Sequence, residues 1–305
     1  MRVVVTGGAG FIGSHLTDAV LALGGRVTVV DDLSSGRAER LDRQVELVTA
    51  SVADAGRMRE LVLGRKPEVI FHLAAQIDVR RSVDDPVVDA EVNVLGTVSV
   101  LEAARAVGAR VVYASTGGAI YGVTAPVPSS ERVAPQPQAP YGTAKFCAEQ
   151  YLELYNRLHG ARHCVLRLGN VYGPRQDPAG EAGVVAIFCG LAVRGRRPMI
   201  FGDGTQTRDY VYVGDVVQAF LLAALSERAG TWNIGTGTET SVLRLAELVG
   251  EAAGRPFEPR FAPARPGELT RSALDAGAAA QALGWKPETS LAEGIRAAYA
   301  WAAGV

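Results

Sequence analysis

Apolar positions along this chain follow two periods, one typical of buried strands and one typical of helices. Arg2–Thr6 is a continuously apolar run, and the following Phe11–Leu23 carries apolar residues at helical spacing until Gly24 and Gly25 end the pattern. Further strand-like runs are Arg26–Val30, Val45–Thr49, Val69–Leu73, Arg110–Ser115 and His163–Leu168, and further helix-like segments are Asp54–Leu63, Pro86–Val107 and Tyr141–His159. Because continuously apolar strands are buried on both faces, the pattern predicts an α/β fold with a doubly wound parallel sheet between helices.

After Leu168 the pattern changes, because Gly, Pro and Arg become frequent. A helical pattern over Val213–Leu225 and a strand-like run over Thr231–Ile234 then return to the earlier style. Val242–Ala253 predicts another helix before a Pro-rich loop at Pro256–Pro266. We therefore predict a first domain of residues 1–167, to which residues 213–236 return, and a smaller C-terminal α/β domain of residues 168–305 that binds the substrate.

The composition limits the classes of function. A formal net charge of −1 over 305 residues does not provide the basic surface that nucleic acid or an anionic membrane requires. No apolar run approaches the about 18 residues of a membrane span, and the chain opens on a strand pattern, so we expect neither a signal peptide nor a membrane partner. Cys147, Cys164 and Cys189 lack zinc spacing, so we expect reduced thiols, no metal site and a cytoplasmic location.

A glycine-rich segment, Thr6–Gly13, links the first strand to the first helix. Gly7 would permit the tight turn, Gly10 would let the backbone approach a pyrophosphate, and Gly13 would allow the helix to pack closely on the strand. The phosphates would then meet the N–H groups at the helix N-terminus. The alternative is a glycine-rich turn with no ligand. The strand–turn–helix context favours a Rossmann dinucleotide-binding loop.

Asp31 ends the second predicted strand. A carboxylate at this point accepts hydrogen bonds from the adenosine ribose hydroxyls and repels a 2′-phosphate. The residue therefore favours NAD over NADP, although a simple cap at the strand end would also explain it.

Tyr141 and Lys145 stand one helical turn apart at the start of a predicted helix. The pairing is informative because the chain has only two other lysines, Lys66 and Lys286. A cation about 4 Å from a phenol, at an effective dielectric constant near 20, is worth roughly 4 kcal/mol. We therefore expect Lys145 to lower the pKa of Tyr141 and to make it a general base toward a substrate hydroxyl.

A second hydroxyl should bind the same substrate oxygen. Ser115 and Thr116 both lie at the carboxyl end of a predicted strand, where sheets of this type place ligand-binding groups. We favour Thr116 over Ser115, and turn capping is the alternative for both residues. The histidines His15, His72, His159 and His163 have no metal or nucleophile spacing, so we expect structural or solvated roles for them.

These motifs, in this order, resemble the extended short-chain dehydrogenase/reductases, and most closely the UDP-glucose 4-epimerases within them. The resemblance covers nearly the whole chain. Its matching pieces are Thr6–Gly13, Val29–Ser34, Phe71–Ala75, Asn93 with Gly96 and Thr97, Ser115–Gly122, Tyr141–Lys145, Leu166–Pro174, Phe201–Gly204, Thr207–Val211 and Arg265–Glu268.

The resemblance implies a set of site residues. Tyr141, Lys145 and Thr116 are the implied catalytic residues. NAD is implied to contact Gly7, Gly10, Phe11, Ile12, Gly13, Asp31, Asp32, Ser34, Leu73, Ala74, Ala75, Asn93, Ser115, Tyr141, Lys145 and Leu168. The UDP-sugar is implied to contact Gln76, Thr116, Asn170, Val184, Val185, Phe201, Arg208, Arg265 and Glu268. Two separated arginines suit a diphosphate, although Arg208 could instead pair with Asp209 at the surface and Arg265 could be solvated.

The implied activity is NAD-dependent 4-epimerisation of a UDP-hexose through a transient 4-keto intermediate, carried out by a homodimer that associates through Pro86–Val107 and Tyr141–His159. Another NAD-dependent nucleotide-sugar enzyme, such as a UDP-N-acetylglucosamine or UDP-glucuronate 4-epimerase or a decarboxylase, is the nearer alternative. A non-catalytic NAD-binding regulator is the more distant one.

The chain departs from the family at one point. Gly117 replaces the third of three consecutive hydroxyl residues, and Gly117 and Gly118 should let a sugar ring approach closely. Sugar-nucleotide dehydratases place an acidic pair in this loop, so the two glycines argue against dehydration. The resemblance also implies that Ser272, four residues after Glu268, borders the sugar C2 substituent. A serine there leaves room for an N-acetyl group, unless the alignment has slipped and Ser272 faces solvent.

Overall fold

The computed structural model describes residues 1–178, 183–264 and 269–305. Its strands are β1 (Arg2–Thr6), β2 (Arg26–Asp31), β3 (Glu46–Thr49), β4 (Val69–His72), β5 (Arg110–Thr116), β6 (Cys164–Leu168), β7 (Asn170–Tyr172), β8 (Met199–Phe201), β9 (Thr207–Arg208), β10 (Tyr210–Tyr212), β11 (Gly230–Ile234), β12 (Thr240–Ser241) and β13 (Arg260–Ala262). Its α-helices are α1 (Phe11–Ala22), α2 (Ala55–Arg65), α3 (Val79–Asp84), α4 (Pro86–Ala90), α5 (Gly96–Val107), α6 (Pro140–His159), α7 (Val184–Val193), α8 (Val213–Leu225), α9 (Val242–Ala253), α10 (Gly277–Leu283) and α11 (Leu291–Ala303).

The main sheet of the described chain has seven strands in the order β11-β6-β5-β4-β1-β2-β3, and every neighbouring pair is parallel. The strand order reverses between β1 and β4, which is where open sheets of this kind bind ligands outside the carboxyl ends of their strands. This arrangement confirms the predicted doubly wound Rossmann sheet. It also brings the ends of β1, β4, β5 and β6 to one edge.

Two apolar layers enclose this sheet, which explains why its strands are continuously apolar. Val3 and Val5 face one layer together with residues of α1 and α8. Val4 between them faces the other layer, which is built with residues of α2, α5 and α6. Successive residues of a strand point to opposite faces, so a strand covered on both sides needs an apolar residue at each position.

The segment predicted as a single helix over Pro86–Val107 is divided in the structure. It consists of α4, a π-helical turn at Glu91–Leu95, and α5. The sequence pattern also missed α3, whose first turn is capped by the Asp78 carboxylate. π-Helical turns are frequent at functional sites, and this one contains the buried Asn93.

Smaller two-stranded sheets and three helices form the C-terminal part of the described chain. β10 pairs with β7 and β13 with β8 in parallel, whereas β12 pairs antiparallel with β9. α7, α9 and α11 share an apolar cluster. None of these short strands was predicted, and neither was α7, which is nearly uniformly apolar. β13 lies inside the predicted Pro-rich loop. α8 packs on the main sheet and β11 extends it; the division into two domains remains a prediction.

No helix within the described ranges is long and apolar enough to cross a membrane.

Candidate active site

The turn from β1 into α1 has no room for a side chain at Gly7 or Gly13. Gly7 has φ +70°, a left-handed conformation that favours glycine, and a Cβ there would lie 2.6 Å from the Ala74 backbone nitrogen. A Cβ on Gly13 would lie 2.1 Å from the Gly7 carbonyl oxygen. α1 starts after Gly10, and no described side chain caps its first turn. Its exposed N–H groups therefore suit the pyrophosphate of a dinucleotide.

Asp31 lies at the end of β2, directly beside this loop. Its buried carboxylate accepts hydrogen bonds from the backbone N–H groups of Ala9 and Leu33, both at 2.9 Å. Burial raises the pKa of Asp31, and the two hydrogen bonds counteract this effect. A carboxylate has about four acceptor positions, so it can still accept hydrogen bonds from ribose hydroxyls. Asp32 instead holds Ser34 in a local turn, with its Oδ1 2.9 Å from the Ser34 nitrogen.

The other residues that we expected to contact NAD are distributed along the same edge. Leu73, Ala74 and Ala75 follow β4 directly and are half-buried, whereas Leu168 ends β6 and is buried. Phe11 and Ile12 form the half-buried start of α1. The narrow glycine loop, the uncapped helix and the Asp31 carboxylate together fit a dinucleotide.

Tyr141 and Thr116 meet at the centre of the site, although they belong to different elements. Tyr141 lies in the first turn of α6 and Thr116 ends β5, and the Thr116 hydroxyl is close enough to the Tyr141 phenol to lower its pKa. Lys145 follows one turn later, and its Nζ donates to the Ala114 carbonyl at 3.0 Å. Its Nζ is 6.0 Å from the centre of the Tyr141 ring. The structure therefore brings the three predicted catalytic residues together.

The expected lowering of the Tyr141 pKa is wrong for this structure. Burial raises the pKa of Tyr141 to about 12, with a further contribution from the Asp89 carboxylate, while the Thr116 hydrogen bond acts in the opposite direction. The Lys145 ammonium is held by the Ala114 carbonyl and does not offset the loss of solvation. Burial also lowers the pKa of Lys145, to about 8.

Ser115 has a different partner from Thr116. Its hydroxyl donates to the buried Glu149 carboxylate at 2.5 Å, and Glu149 pairs with Arg167 at 2.6 Å. Arg167 also donates to the Tyr121 hydroxyl at 2.9 Å. This hydroxyl in turn donates to the side-chain oxygen of Asn233 on β11 at 2.7 Å. Sequence reasoning missed this buried network. The available signal was Glu149, which continues the four-residue spacing of Tyr141 and Lys145 along one helix face.

Gln76, an expected substrate ligand, uses its side chain within the protein. Its amide nitrogen donates to the Asp78 carbonyl and to the Asp89 carboxylate, both at 2.9 Å, and its amide oxygen accepts from the Asp78 nitrogen at 2.6 Å. Asn93, an expected NAD contact, is also tied to this group, because it donates to the Gln76 carbonyl at 2.9 Å. In the structure both amides therefore support the loop that follows β4.

Five of the remaining predicted substrate residues lie at the ends of strands or at the start of α7. Asn170 starts β7, and its Oδ1 would lie 3.6 Å from a Cβ on Gly118. Val184 and Val185 form the start of α7, and Phe201 ends β8. Arg208 ends β9, and the neighbouring Asp209 is not an exposed ion-pair partner, because it is 1% exposed and accepts hydrogen bonds from Thr236, Gly237 and Leu274. Arg265 and Glu268 lie outside the described residues.

Gly117 does not leave open space for a sugar, contrary to our expectation. A Cβ there would lie 2.4 Å from Cδ1 of the buried Leu274, so Leu274 fills the volume that the missing side chain vacates. A Cβ on Gly118 would have only the Asn170 Oδ1 within 4 Å. Gly118 therefore remains the position where a ligand ring could approach the backbone.

Comparison with known proteins gives consistent results. The model of the NAD dependent epimerase/dehydratase family matches residues 3–235. The UDP-glucose 4-epimerase of Mycolicibacterium smegmatis is 51% identical over 302 residues, which are 97% of this chain and 96% of that protein.

Solved structures show the same similarity. The UDP-glucose 4-epimerase of Thermotoga maritima, solved with UDP-glucose, superimposes with a TM-score of 0.96 at 46% identity and covers 99% of this chain and 98% of its own. The UDP-glucose 4-epimerase of Thermus thermophilus, solved with NAD, has a TM-score of 0.94 at 43% identity and covers 100% of this chain and 99% of its own. The resemblance inferred from the sequence is confirmed.

Proposed function

Because the chain belongs to the NAD-dependent epimerase/dehydratase family, we propose that it interconverts UDP-glucose and UDP-galactose by inverting the sugar at C4. The observation that carries this proposal is the cluster of Tyr141, Lys145 and Thr116, in which Lys145 of α6 donates to Ala114 of β5 and lies 6.0 Å from the centre of the Tyr141 ring. It lies at the carboxyl edge of a sheet whose first loop suits a dinucleotide. A proton acceptor beside a hydride acceptor is what oxidation of a secondary alcohol requires.

NAD is the cofactor, and when bound it supplies reversible acceptance of the C4 hydrogen with its electron pair. The chain contributes binding and orientation. The N–H groups of the uncapped first turn of α1 would hold the pyrophosphate, and Asp31 would accept hydrogen bonds from a ribose hydroxyl. Leu73, Ala74 and Leu168 would provide apolar contacts to the cofactor along the sheet edge.

Tyr141 moves the proton in both directions. It takes the proton of the sugar 4-OH, to which the Thr116 hydroxyl also hydrogen-bonds, and it returns a proton after the 4-keto sugar has presented its other face. Tyr141 is half-buried, and its phenol is protonated in the free chain. Its ionisation therefore requires positive charge beyond that of the Lys145 ammonium, which lies one turn along α6 and does not by itself offset the loss of solvation.

The nucleotide part of the substrate lies toward the C-terminal part of the chain. We propose that Asn170 and the start of α7, with Val184 and Val185, contact the UDP moiety. Arg208 and Arg265 would bind the two phosphates, and Glu268 the ribose; guanidinium groups bind phosphate oxygens in a bidentate manner. Phe201 would pack against the uracil side of the site. Gln76 would act by supporting the loop after β4.

Incubation of the purified protein with UDP-galactose tests the reaction. We expect UDP-glucose to form without added reductant, because the sugar is oxidised and reduced in the same cycle. Tyr141→Phe should lower turnover by at least about 10²-fold, the lower end of general acid–base contributions. Tyr155→Phe is the matched control, because Tyr155 lies on the same helix with its hydroxyl bonded to Glu102, and its turnover should be unchanged.

Product analysis by NMR separates the alternatives. Inversion of UDP-glucuronate or loss of its carboxyl group, with no turnover of UDP-hexoses, would replace the proposal by one of the related sugar-nucleotide reactions. A thermal shift with NAD or UDP-glucose, without conversion of any UDP-sugar, would indicate a non-catalytic NAD-binding protein. Dehydration is disfavoured because Gly117 and Gly118 provide no acid or base in the loop after β5.

We also propose that the protein forms a homodimer through the region of α4–α6. Val83, Val87 and Leu95 are exposed apolar side chains in or near this region, at 61%, 66% and 59% exposure. Burying them would be favourable. In sedimentation experiments we expect a dimer that Leu95→Glu weakens, whereas Leu63→Glu on α2 does not. The cytoplasm is the compartment that suits the three free cysteines.

A further inference from the structure

The backbone N–H of Tyr141 is held by a side chain from another helix. α6 begins with Pro140, and its N-cap residue Ala139 makes no side-chain hydrogen bond to the first turn. The N–H groups of the first turn of a helix have no partner within the helix itself. The Tyr141 nitrogen instead donates to the Oγ of Ser82 on α3 at 3.2 Å. Ser82 therefore caps α6 from outside, at the residue that carries the phenol.

Ser82 can hold this N–H in one place because its own hydroxyl is fixed. The residue is 0% exposed, and its Oγ donates to the Val79 carbonyl at 2.6 Å. A serine hydroxyl has one proton to donate and lone pairs with which to accept. With its proton directed to Val79, the hydroxyl offers its lone pairs to the Tyr141 N–H. Both functions of this buried group are thus in use, which leaves it a single orientation.

α3 is in turn anchored to the loop that follows β4. The Asp78 carboxylate caps its first turn, since it accepts from the Arg80 nitrogen at 2.8 Å and the Arg81 nitrogen at 3.0 Å. The Asp78 nitrogen donates to the Gln76 Oε1 at 2.6 Å. Hydrogen bonds and one short helix therefore connect the end of β4, where we expect NAD to bind, with the backbone of Tyr141.

The loop after β5 holds the same turn of α6 at a second point. A Cβ on Gly142, the residue after Tyr141, would lie 2.5 Å from the Ala119 carbonyl oxygen and 3.0 Å from the Pro137 Cβ. The backbone is therefore in close contact there and cannot move toward that loop. Two segments thus fix the first turn of α6, one by steric contact and one by the Ser82 hydrogen bond.

We propose that Ser82 is a positioning residue for the reaction, which places the Tyr141 phenol at the reacting oxygen by holding the backbone where α6 begins. Helix ends fray, and a small displacement of a reacting group lowers the rate strongly. Loss of the Ser82 hydroxyl should therefore affect the chemical step. Nucleotide binding should be retained, because the residues proposed to contact UDP lie in the C-terminal part of the chain. This inference deepens the proposed function, and its kinetic part rests on that function.

The amide signal of Tyr141 tests the contact without any need for turnover. The chain has nine tyrosines, so ¹⁵N-tyrosine labelling gives few NMR signals, and the signal absent in Tyr141→Phe belongs to Tyr141. In Ser82→Ala we expect this signal to shift and its exchange with solvent to accelerate by roughly two- to tenfold, the effect of losing one hydrogen bond. The other tyrosines are internal references. Ser82→Cys, which has nearly the same shape but only a weak acceptor, replaces Ser82→Ala if the latter does not fold.

Kinetics provide the second readout. Ser82→Ala should lower kcat for UDP-galactose by about tenfold and leave KM nearly unchanged, because the base is displaced while the nucleotide still binds. Ser129→Ala is the matched control. Ser129 is also buried, and its Oγ donates to the carbonyl three residues earlier, that of Pro126, likewise at 2.6 Å. This variant should lose a similar amount of stability in urea unfolding and should keep its kcat.

Three results would overturn the inference. One is an unchanged Tyr141 signal and exchange rate in a folded Ser82 variant. Another is a loss of kcat no larger than that of Ser129→Ala, which would reduce Ser82 to a structural role. The third is a loss confined to KM. Absence of turnover in the unmodified protein would contradict the proposed function alone, because the amide signal would still report the contact between Ser82 and Tyr141.

Discussion

Two adjacent hydroxyls at the end of β5 differ in their partners, and this difference decides their roles. Side chains alternate between the faces of a strand. Ser115 lies on the face of β5 that α6 covers, together with Val111 and Tyr113, and donates to the buried Glu149 there. Thr116 is the last residue of β5, and at this strand end its hydroxyl acts on the Tyr141 phenol. The geometry supports Thr116 as the hydroxyl that shares the substrate oxygen with Tyr141, and it gives Ser115 a part in the ion-pair network behind the site.

Thr116→Val and Ser115→Ala should therefore have opposite consequences. Loss of the Thr116 hydroxyl should lower kcat by roughly 10²-fold, the low end of the cost of removing one hydrogen-bond donor at the reacting oxygen. Loss of the Ser115 hydroxyl should leave kcat nearly unchanged and reduce the free energy of unfolding by about 1–3 kcal/mol, because a buried carboxylate loses a donor. Steady-state assays and urea unfolding of both variants check this, and a large kcat effect from Ser115→Ala would reverse the two roles.

Ser272 is the residue that we expect to determine whether N-acetyl sugars are accepted as substrates. The residue is 9% exposed, so it does not face solvent as the alternative alignment would have it. It lies between Arg271, which pairs with Glu239, and Ala273, whose carbonyl accepts from the Ser129 nitrogen. Its neighbours on both sides are therefore held in place by the rest of the protein.

We predict that UDP-N-acetylglucosamine is turned over alongside UDP-glucose and that Ser272→Tyr selectively suppresses the N-acetyl activity. A tyrosine ring would fill the space of the acetyl group, and overpacking costs roughly 1–3 kcal/mol. Rates with both substrates measure the selectivity, and Ser272→Ala should retain both activities. Equal loss of both activities in Ser272→Tyr, or no N-acetyl activity in the parent protein, would remove Ser272 from the sugar pocket.

At the scale of elements, the loop after β5 packs on the segment that precedes α10. Leu274 occupies the space beside Gly117, and its backbone nitrogen donates to the buried Asp209 carboxylate at 3.0 Å. Asp209 also accepts from the Thr236 nitrogen at 2.8 Å. One carboxylate thus ties the segment after β9 to the end of the main sheet and to Leu274. The glycine is required by this packing.

Gly117→Ser should consequently destabilise the protein by about 1–3 kcal/mol, because the new Cβ overlaps Leu274. The matched Gly118→Ser should have little effect on stability, since a Cβ there meets only the Asn170 Oδ1 at 3.6 Å. Leu274→Ala removes the overlap, so the double variant should be more stable than the sum of the single changes indicates. Urea unfolding of the four proteins gives the interaction free energy, and strict additivity would contradict the packing explanation.

At the scale of the whole molecule, two buried neutral histidines make the fold sensitive to acid. Burial lowers the pKa of His72 to about 3, and its ring lies between the hydroxyls of Thr6 at 2.7 Å and Thr97 at 3.0 Å. Burial lowers the pKa of His163 to about 4, and its Nδ1 accepts from the Val111 nitrogen at 3.1 Å. Both rings are neutral in the folded chain and bridge neighbouring strands or helices.

The free energy of unfolding should therefore fall as the pH drops below about 6.5, the value for an exposed histidine. The unfolded chain binds more protons there than the folded chain, so the loss continues until the folded-state values near 4 and 3 are reached. Between pH 7 and pH 5 each histidine should account for roughly 2 kcal/mol. Urea unfolding at constant protein concentration measures this, and His163→Gln should lose less stability on acidification than the exposed control His159→Gln. Equal losses in the two variants would exclude His163 as a source.

The sequence by itself determined those features that depend on neighbouring residues. Continuously apolar runs indicated a sheet buried on both faces, and the strand–glycine–helix order of Thr6–Gly13 located the dinucleotide loop. The four-residue spacing of Tyr141 and Lys145 placed both on one face of α6. These properties follow from local backbone geometry, which repeats wherever the same pattern occurs.

Only the tertiary structure decided which groups face each other across elements. The partner of Ser115 lies 34 residues away and the Gly117 position is filled by Leu274. The high pKa of Tyr141 arises from burial of the phenol in the folded chain, with a further contribution from the Asp89 carboxylate of α4. Contacts of this kind depend on how distant segments pack, and both packing volume and loss of solvation are properties of the assembled core. The order of residues along the chain therefore does not reveal packing volume or loss of solvation.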